Sequence, residues 1–79
     1  MRYCAICRRP ATDRHHIYEG SRRQASERAG MVVWLCHDHH MAIHHDEAAN
    51  LRMKQAAQRE FEKTHTREEF MEIFHKSYI

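Results

Sequence analysis

The chain has 79 residues, 30% of them charged, with a net charge of +2, three cysteines and nine histidines. A domain this short buries little core and often needs a staple. Three cysteines would strand one thiol in any disulfide set, so a metal held by Cys and His is the expected staple. No run of 18 apolar residues occurs, and the Met-Arg-Tyr-Cys start carries no signal-type apolar region. A transmembrane helix is therefore not expected, and a reducing cytoplasm is the expected setting for metal-bound thiolates.

Charge is unevenly spread. Residues 1–37 carry seven Arg and three acids, a net of +4, whereas residues 38–79 carry six basic residues and eight acids, a net of −2. The first half uses Arg and no Lys. Arg suits bidentate phosphate contact, so a nucleic-acid partner is plausible, with a solvated Arg-rich face as the plainer alternative.

In chain order, Cys4-Ala-Ile-Cys7 reads as a metal knuckle ended by Pro10. Arg14 to Tyr18 and Met31 to Leu35 read as strands, the second rich in β-branched and aromatic residues. They are predicted to pair as a hairpin, 15–18 against 31–35. Between them Gly20 and Gly30 bracket a polar stretch, Ser21 to Ala29, that fits a loop or one short helix. After Cys36 the pattern turns helical, with Asp38 as the predicted N-cap of a helix over 39–46. No Gly or Pro follows residue 30. Leu51, Met53, Ala57 and Phe61 predict a helix over about 48–63. Thr66 to Glu69 reads as a capping box opening a last helix over 67–77, whose Phe70, Met71, Ile73, Phe74 and Tyr78 are expected to pack into the core.

Cys36-x2-His39 is a second half-site, separated from the Cys4-x2-Cys7 knuckle by 28 residues. Zinc takes four soft or borderline ligands in a tetrahedron, and Cys₃His is a common structural set. The pairs Cys4/Cys7 and Cys36/His39 are thus the predicted structural zinc site. His37 and His40 stand close by, and the two-residue gap favours His39. A further group of histidines has its own spacing. His15 and His16 are adjacent in a strand and point to opposite faces. His40 and His44 lie four apart on one face of a helix and can grip one ion together. With one ligand from the strand they form a three-ligand, open metal site of the kind catalysis needs. The plainer reading is a set of surface or satisfied core histidines.

These motifs together resemble the HNH nucleases, built on the ββα-metal (treble-clef-like) motif, and among them the small HNH proteins of phages and prophages. The resemblance runs through Cys4-x2-Cys7, Asp13-Arg14-His15-His16-Ile17 and Leu35-Cys36-x2-His39-His40, about residues 4–45. It implies an α+β fold: a zinc-stabilised HNH core over 1–47, with a helical extension over 48–79 packed on it as one domain. It implies His16 as general base and His15, His40 and His44 as ligands of a second divalent metal (Zn, Ni, Co, Mn or Mg). All-nitrogen ligation favours the transition metals over Mg. It implies hydrolysis of DNA without sequence preference, by nicking, with Arg14, Arg22, Arg23 and Arg28 neutralising flanking phosphates. Phage packaging or replication proteins are the implied protein partners, and the apolar helix faces are compatible with a homodimer. The family's central Asn normally precedes the second strand. The only Asn here is Asn50, so the loop carrying the base must be held by another group. The competing class is a non-catalytic zinc module that binds DNA or protein, and a third reading is an inactive relative acting as a regulator.

Overall fold

The computed structural model describes all 79 residues, as a small α+β fold with one two-stranded sheet and four α-helices. A knuckle opens the chain: Cys4 N donates to Arg9 O at 2.7 Å and Arg8 N to Cys4 O at 2.9 Å, and Tyr3 bridges Pro10. Strand β1 (Asp13–His16) follows, then a 3-10 turn (Gly20–Arg22), α1 (Arg23–Arg28), β2 (Val32–Leu35), α2 (His37–His45), α3 (Glu47–Phe61) and α4 (Arg67–Phe74). The polar stretch between the strands is therefore a helical insert rather than a loop. Gly20 and Gly30 bracket it in the left-handed region at φ 66° and 72°, where a Cβ would be strained.

The strands are antiparallel, with Asp13 opposite Leu35 and His16 opposite Val32. Pairing thus involves 13–16 rather than 15–18. Ile17 and Tyr18 leave the strand because their side chains are drawn into the aromatic core, although Ile17 N still donates to Met31 O at 3.1 Å. Helix α2 starts two residues earlier than expected, and its N-cap is Cys36, not Asp38. The Cys36 thiol accepts from His39 N at 3.5 Å, which satisfies a first-turn donor and leaves Asp38 exposed. Asp46 caps α3 by accepting from Ala49 N at 3.1 Å. The Thr66/Glu69 capping box forms at α4. That helix stops at Phe74 rather than 77 because His75 turns left-handed at φ 65°.

Only 12 of the 79 residues are buried, which makes the case for a staple sharper. They fall largely into two clusters. Cys4, Leu35, Cys36 and Ile43 form one, and Ile17, Tyr18, Phe61, Phe70 and Phe74 the other. Val33 and Met53 pack against both. Tyr18 is the link between the sheet and the C-terminal helices. Its ring lies 4.3 Å from Phe74 and 5.6 Å from Phe70, centroid to centroid, and its hydroxyl donates to Lys54 O at 2.6 Å. Residues on both sides of position 47 therefore share one core. Met71 and Ile73, expected inside, are exposed. Helix α4 is only two turns long, and Phe70 and Phe74 alone fill its inward stripe. No helix is long and apolar enough to cross a membrane.

Candidate metal centres

The knuckle and the β2–α2 junction bring Cys4, Cys7, Cys36 and His39 together, with one ligand atom from each within 4.8 Å of the others. Cys7 Sγ lies 3.8 Å from Cys36 Sγ, while His39 Nδ1 lies 3.6 Å from Cys4 Sγ and 3.3 Å from Cys36 Sγ. A tetrahedron with Zn–S bonds of about 2.3 Å and a Zn–N bond of about 2.0 Å has edges of roughly 3.5–3.8 Å, so the spacing fits a zinc ion. The three cysteines are free, which excludes a disulfide here. The surroundings favour thiolates at Cys4 and Cys7, whereas at Cys36 the His39 N–H is outweighed by burial and the neighbouring Cys7 and Cys4 thiols, which raise that thiol. Burial raises the Cys4 thiol, but backbone N–H groups outweigh it and hold the thiol at about 5. Arg9 donates from Nε to Cys7 Sγ at 3.3 Å and lowers that thiol too. Close thiol partners raise the His39 imidazole, Cys4 first.

A second cluster lies where β1 meets α2. His15, His40 and His44 each place a ring nitrogen within 4.8 Å of the others. His15 is buried on the face of β1 that meets α2, and His40 and His44 are one turn apart on that helix. His40 Nε2 and His44 Nε2 are 3.1 Å apart. The far side of His40 explains its orientation: Nδ1 lies 2.8 Å from Asp13 Oδ2. Hydrogen bonds from Thr12, His40 and His37 hold the Asp13 carboxyl down at about 2, so it is an anion at neutral pH. Nδ1 of His40 must then donate, and its Nε2 lone pair is left facing His44 and His15. A carboxylate behind a metal-binding imidazole is a common second layer of such sites. His15 Nε2 is buried with no hydrogen-bond partner, and burial lowers the basicity of this ring. Three ring nitrogens converging on one gap fit a divalent transition-metal ion.

His16 points the other way from His15, toward α1. Its Nε2 lies 2.7 Å from Glu27 Oε2, and Arg14 clamps the same carboxylate with two bonds of 2.6 Å. Arg14 and His16 together hold the Glu27 carboxyl at about 2. An ionised Glu27 can only accept, so Nε2 of His16 carries the hydrogen and Nδ1 is the free acceptor. His15, His16, His40 and His44 line one open pocket of about 260 Å³ with Arg14, Glu19, Gly20 and Arg23, and none of the lining residues is hydrophobic.

The expected arginine group divides. Arg23 lines the pocket. Arg14 lines it too, but its guanidinium is engaged by Glu27 and is not a free phosphate contact. Arg22 lies outside the pocket lining, and Arg28 lines a separate concavity with Ala25, Ala29, Glu72 and Ile73. Helix α1 also supplies what sequence reasoning missed. Ser26 is fully buried, its Oγ accepting from Tyr18 N at 3.2 Å and donating to Met31 O at 2.5 Å. It ties the end of the histidine strand to the start of β2, a tethering role that the sequence left unassigned. Asp13 stands in the Asp13–Ile17 motif without an assigned role, and nothing in the sequence gives Glu19, Ser26 or Glu27 a part beside the histidines.

The chain matches no protein-family model, no curated protein and no solved structure.

Proposed function

We propose that this protein is a metal-dependent endonuclease of the HNH type that nicks DNA, with a structural zinc at Cys4, Cys7, Cys36 and His39. The observation that carries the reading is the pairing of two differently prepared histidine sets in one polar pocket. His15, His40 and His44 bring ring nitrogens toward one point, while His16 turns its Nε2 to Glu27 and leaves Nδ1 without a partner in the chain. A zinc knuckle alone has no use for that second set. The order β1, α1, β2, α2 is compatible with the ββα unit of that family, with α1 as an insert.

In this reading His16 Nδ1 accepts a proton from a water whose oxygen attacks phosphorus in line, and the bond to the 3′ oxygen breaks. Glu27 stabilises the imidazolium that forms on His16 and fixes its tautomer, and Arg14 fixes Glu27. His15, His40 and His44 would hold a divalent cation, with Asp13 orienting His40. Such an ion supplies positive charge beside the phosphoryl oxygens as negative charge grows there. Arg23, which forms no ion pair within the chain, is the pocket residue available to a flanking phosphate. Contacts of that kind position the backbone without reading sequence.

The test is a supercoiled-plasmid assay with the zinc-loaded protein and a panel of Mn, Ni, Co, Zn and Mg. Conversion to open circle with the transition metals and little with Mg supports the reading. One tightly bound zinc per chain and no nicking with any metal would instead support a non-catalytic zinc module.

A further inference from the structure

The mechanism above leaves one charged pocket residue unused. Glu19 is the only carboxylate among the residues lining the histidine pocket. Its two oxygens are treated very differently. Oε1 is anchored from α3, by Lys54 Nζ at 3.0 Å and Asn50 Nδ2 at 3.3 Å. Oε2 is buried and has no hydrogen-bond partner. It lies 4.0 Å from His15 Nε2, which is itself buried and without a partner. A direct hydrogen bond between them is excluded at that distance. A carboxylate oxygen and an imidazole nitrogen face the same gap, and buried acceptors without donors are rare. A cation held by the histidines beside Oε2 is the positive partner that this carboxylate oxygen lacks.

We propose that Glu19 is the acidic member of the second metal site, its Oε2 supplying negative charge to the divalent cation that His15, His40 and His44 would hold. The inference rests on the reading of those three histidines as ligands. The three nitrogens lie within 4.8 Å of one another and Glu19 falls outside that set, so the carboxylate acts on the cation and the water around it rather than as a fourth close ligand. Three neutral imidazoles carry no charge of their own, and one anion in the pocket raises affinity for a dication over a monocation. The anchoring has a further consequence. Asn50 and Lys54 set the position of this carboxylate, so α3, outside the histidine motifs, becomes part of the metal site.

Calorimetric titration of the zinc-loaded full chain with Co(II) and Ni(II), with elemental analysis of the product, tests this without reference to activity. The wild type is expected to take up one further equivalent, and His15→Ala is expected to lose it. Glu19→Gln, which keeps an oxygen for Asn50, is expected to weaken that equivalent by about 10-fold or more, the range seen for outer-shell partners of metal ligands. The zinc at the cysteines should stay in place, and far-UV circular dichroism should be unchanged. Asn50→Ala should weaken binding in the same direction by less. If Glu19→Gln unfolds, Glu19→Asp, which keeps the charge but retracts it by one methylene, is expected to weaken binding with the fold intact. An affinity within twofold of wild type in Glu19→Gln, while His15→Ala abolishes binding, overturns the role of Glu19 and leaves the histidine site standing. No further equivalent in the wild type overturns both.

Discussion

Ser26→Ala probes how the histidine strand is held. Ser26 Oγ is the acceptor for Tyr18 N and a donor to Met31 O, at a fully buried position. The two losses are unequal. Met31 O keeps Ile17 N as a donor, whereas Tyr18 N loses its only partner next to a buried ring. Leaving a buried donor unpaired costs about 1–3 kcal/mol. Alanine regains roughly 0.5 kcal/mol of helix propensity within α1. The net expectation is a destabilisation of about 0.5–2.5 kcal/mol, or a fall in Tm of roughly 2–20 °C for a domain of this size. Thermal and urea melts at saturating zinc measure it, with the exposed Ser21→Ala as a control expected to change stability by less than about 0.5 kcal/mol. A Ser26→Ala protein that melts with the wild type would refute the tethering role and leave the strand ends held by backbone bonds alone.

Other consequences follow from individual contacts. Chelation of zinc, or Cys4→Ala, should unfold the chain and abolish nicking together, read by circular dichroism and the plasmid assay, because so few residues are buried without the metal. Glu27→Gln places an amide nitrogen against an Arg14 donor in either orientation, and against His16 Nε2 as well in one of them, so nicking should fall by about 10–100-fold while zinc content and fold persist. Thr66→Ala removes the cap that accepts Glu69 N at 3.1 Å and should cost about 1 kcal/mol in a urea melt with no effect on metal content. Phe74→Ala empties the fully buried centre of the aromatic cluster and should cost about 3–5 kcal/mol, enough to leave a chain of this size largely unfolded.

What could be read from the sequence was what repeats at short range. The Cys4/Cys7 and Cys36/His39 spacings located the tetrahedral cluster because two intervening residues let a pair of ligands converge. The four-residue step from His40 to His44 gave one helix face, and strand alternation separated His15 from His16. The Thr66/Glu69 box gave the start of α4. What could not be read depends on contacts between elements. Glu27 is 11 residues from His16, and only the turn of α1 over the sheet brings them together. The same carboxylate engages the Arg14 guanidinium, an outcome invisible in a count of arginines. Cys36 displaces Asp38 as the α2 cap because its sulfur faces both the first turn of the helix and the Cys4, Cys7 and His39 side chains. Met71 and Ile73 looked like core by periodicity, but a two-turn helix beside a small core has room for only two of its apolar side chains.

The central claim is that His16 is the general base of a nuclease site distinct from the structural zinc. Its most direct test compares plasmid nicking by wild type and His16→Ala at matched zinc content, in the metal that best supports the wild type, with DNA binding measured alongside. The account predicts loss of cleavage by about 100-fold or more with binding, fold and zinc retained. His16→Ala cutting as fast as the wild type would contradict it.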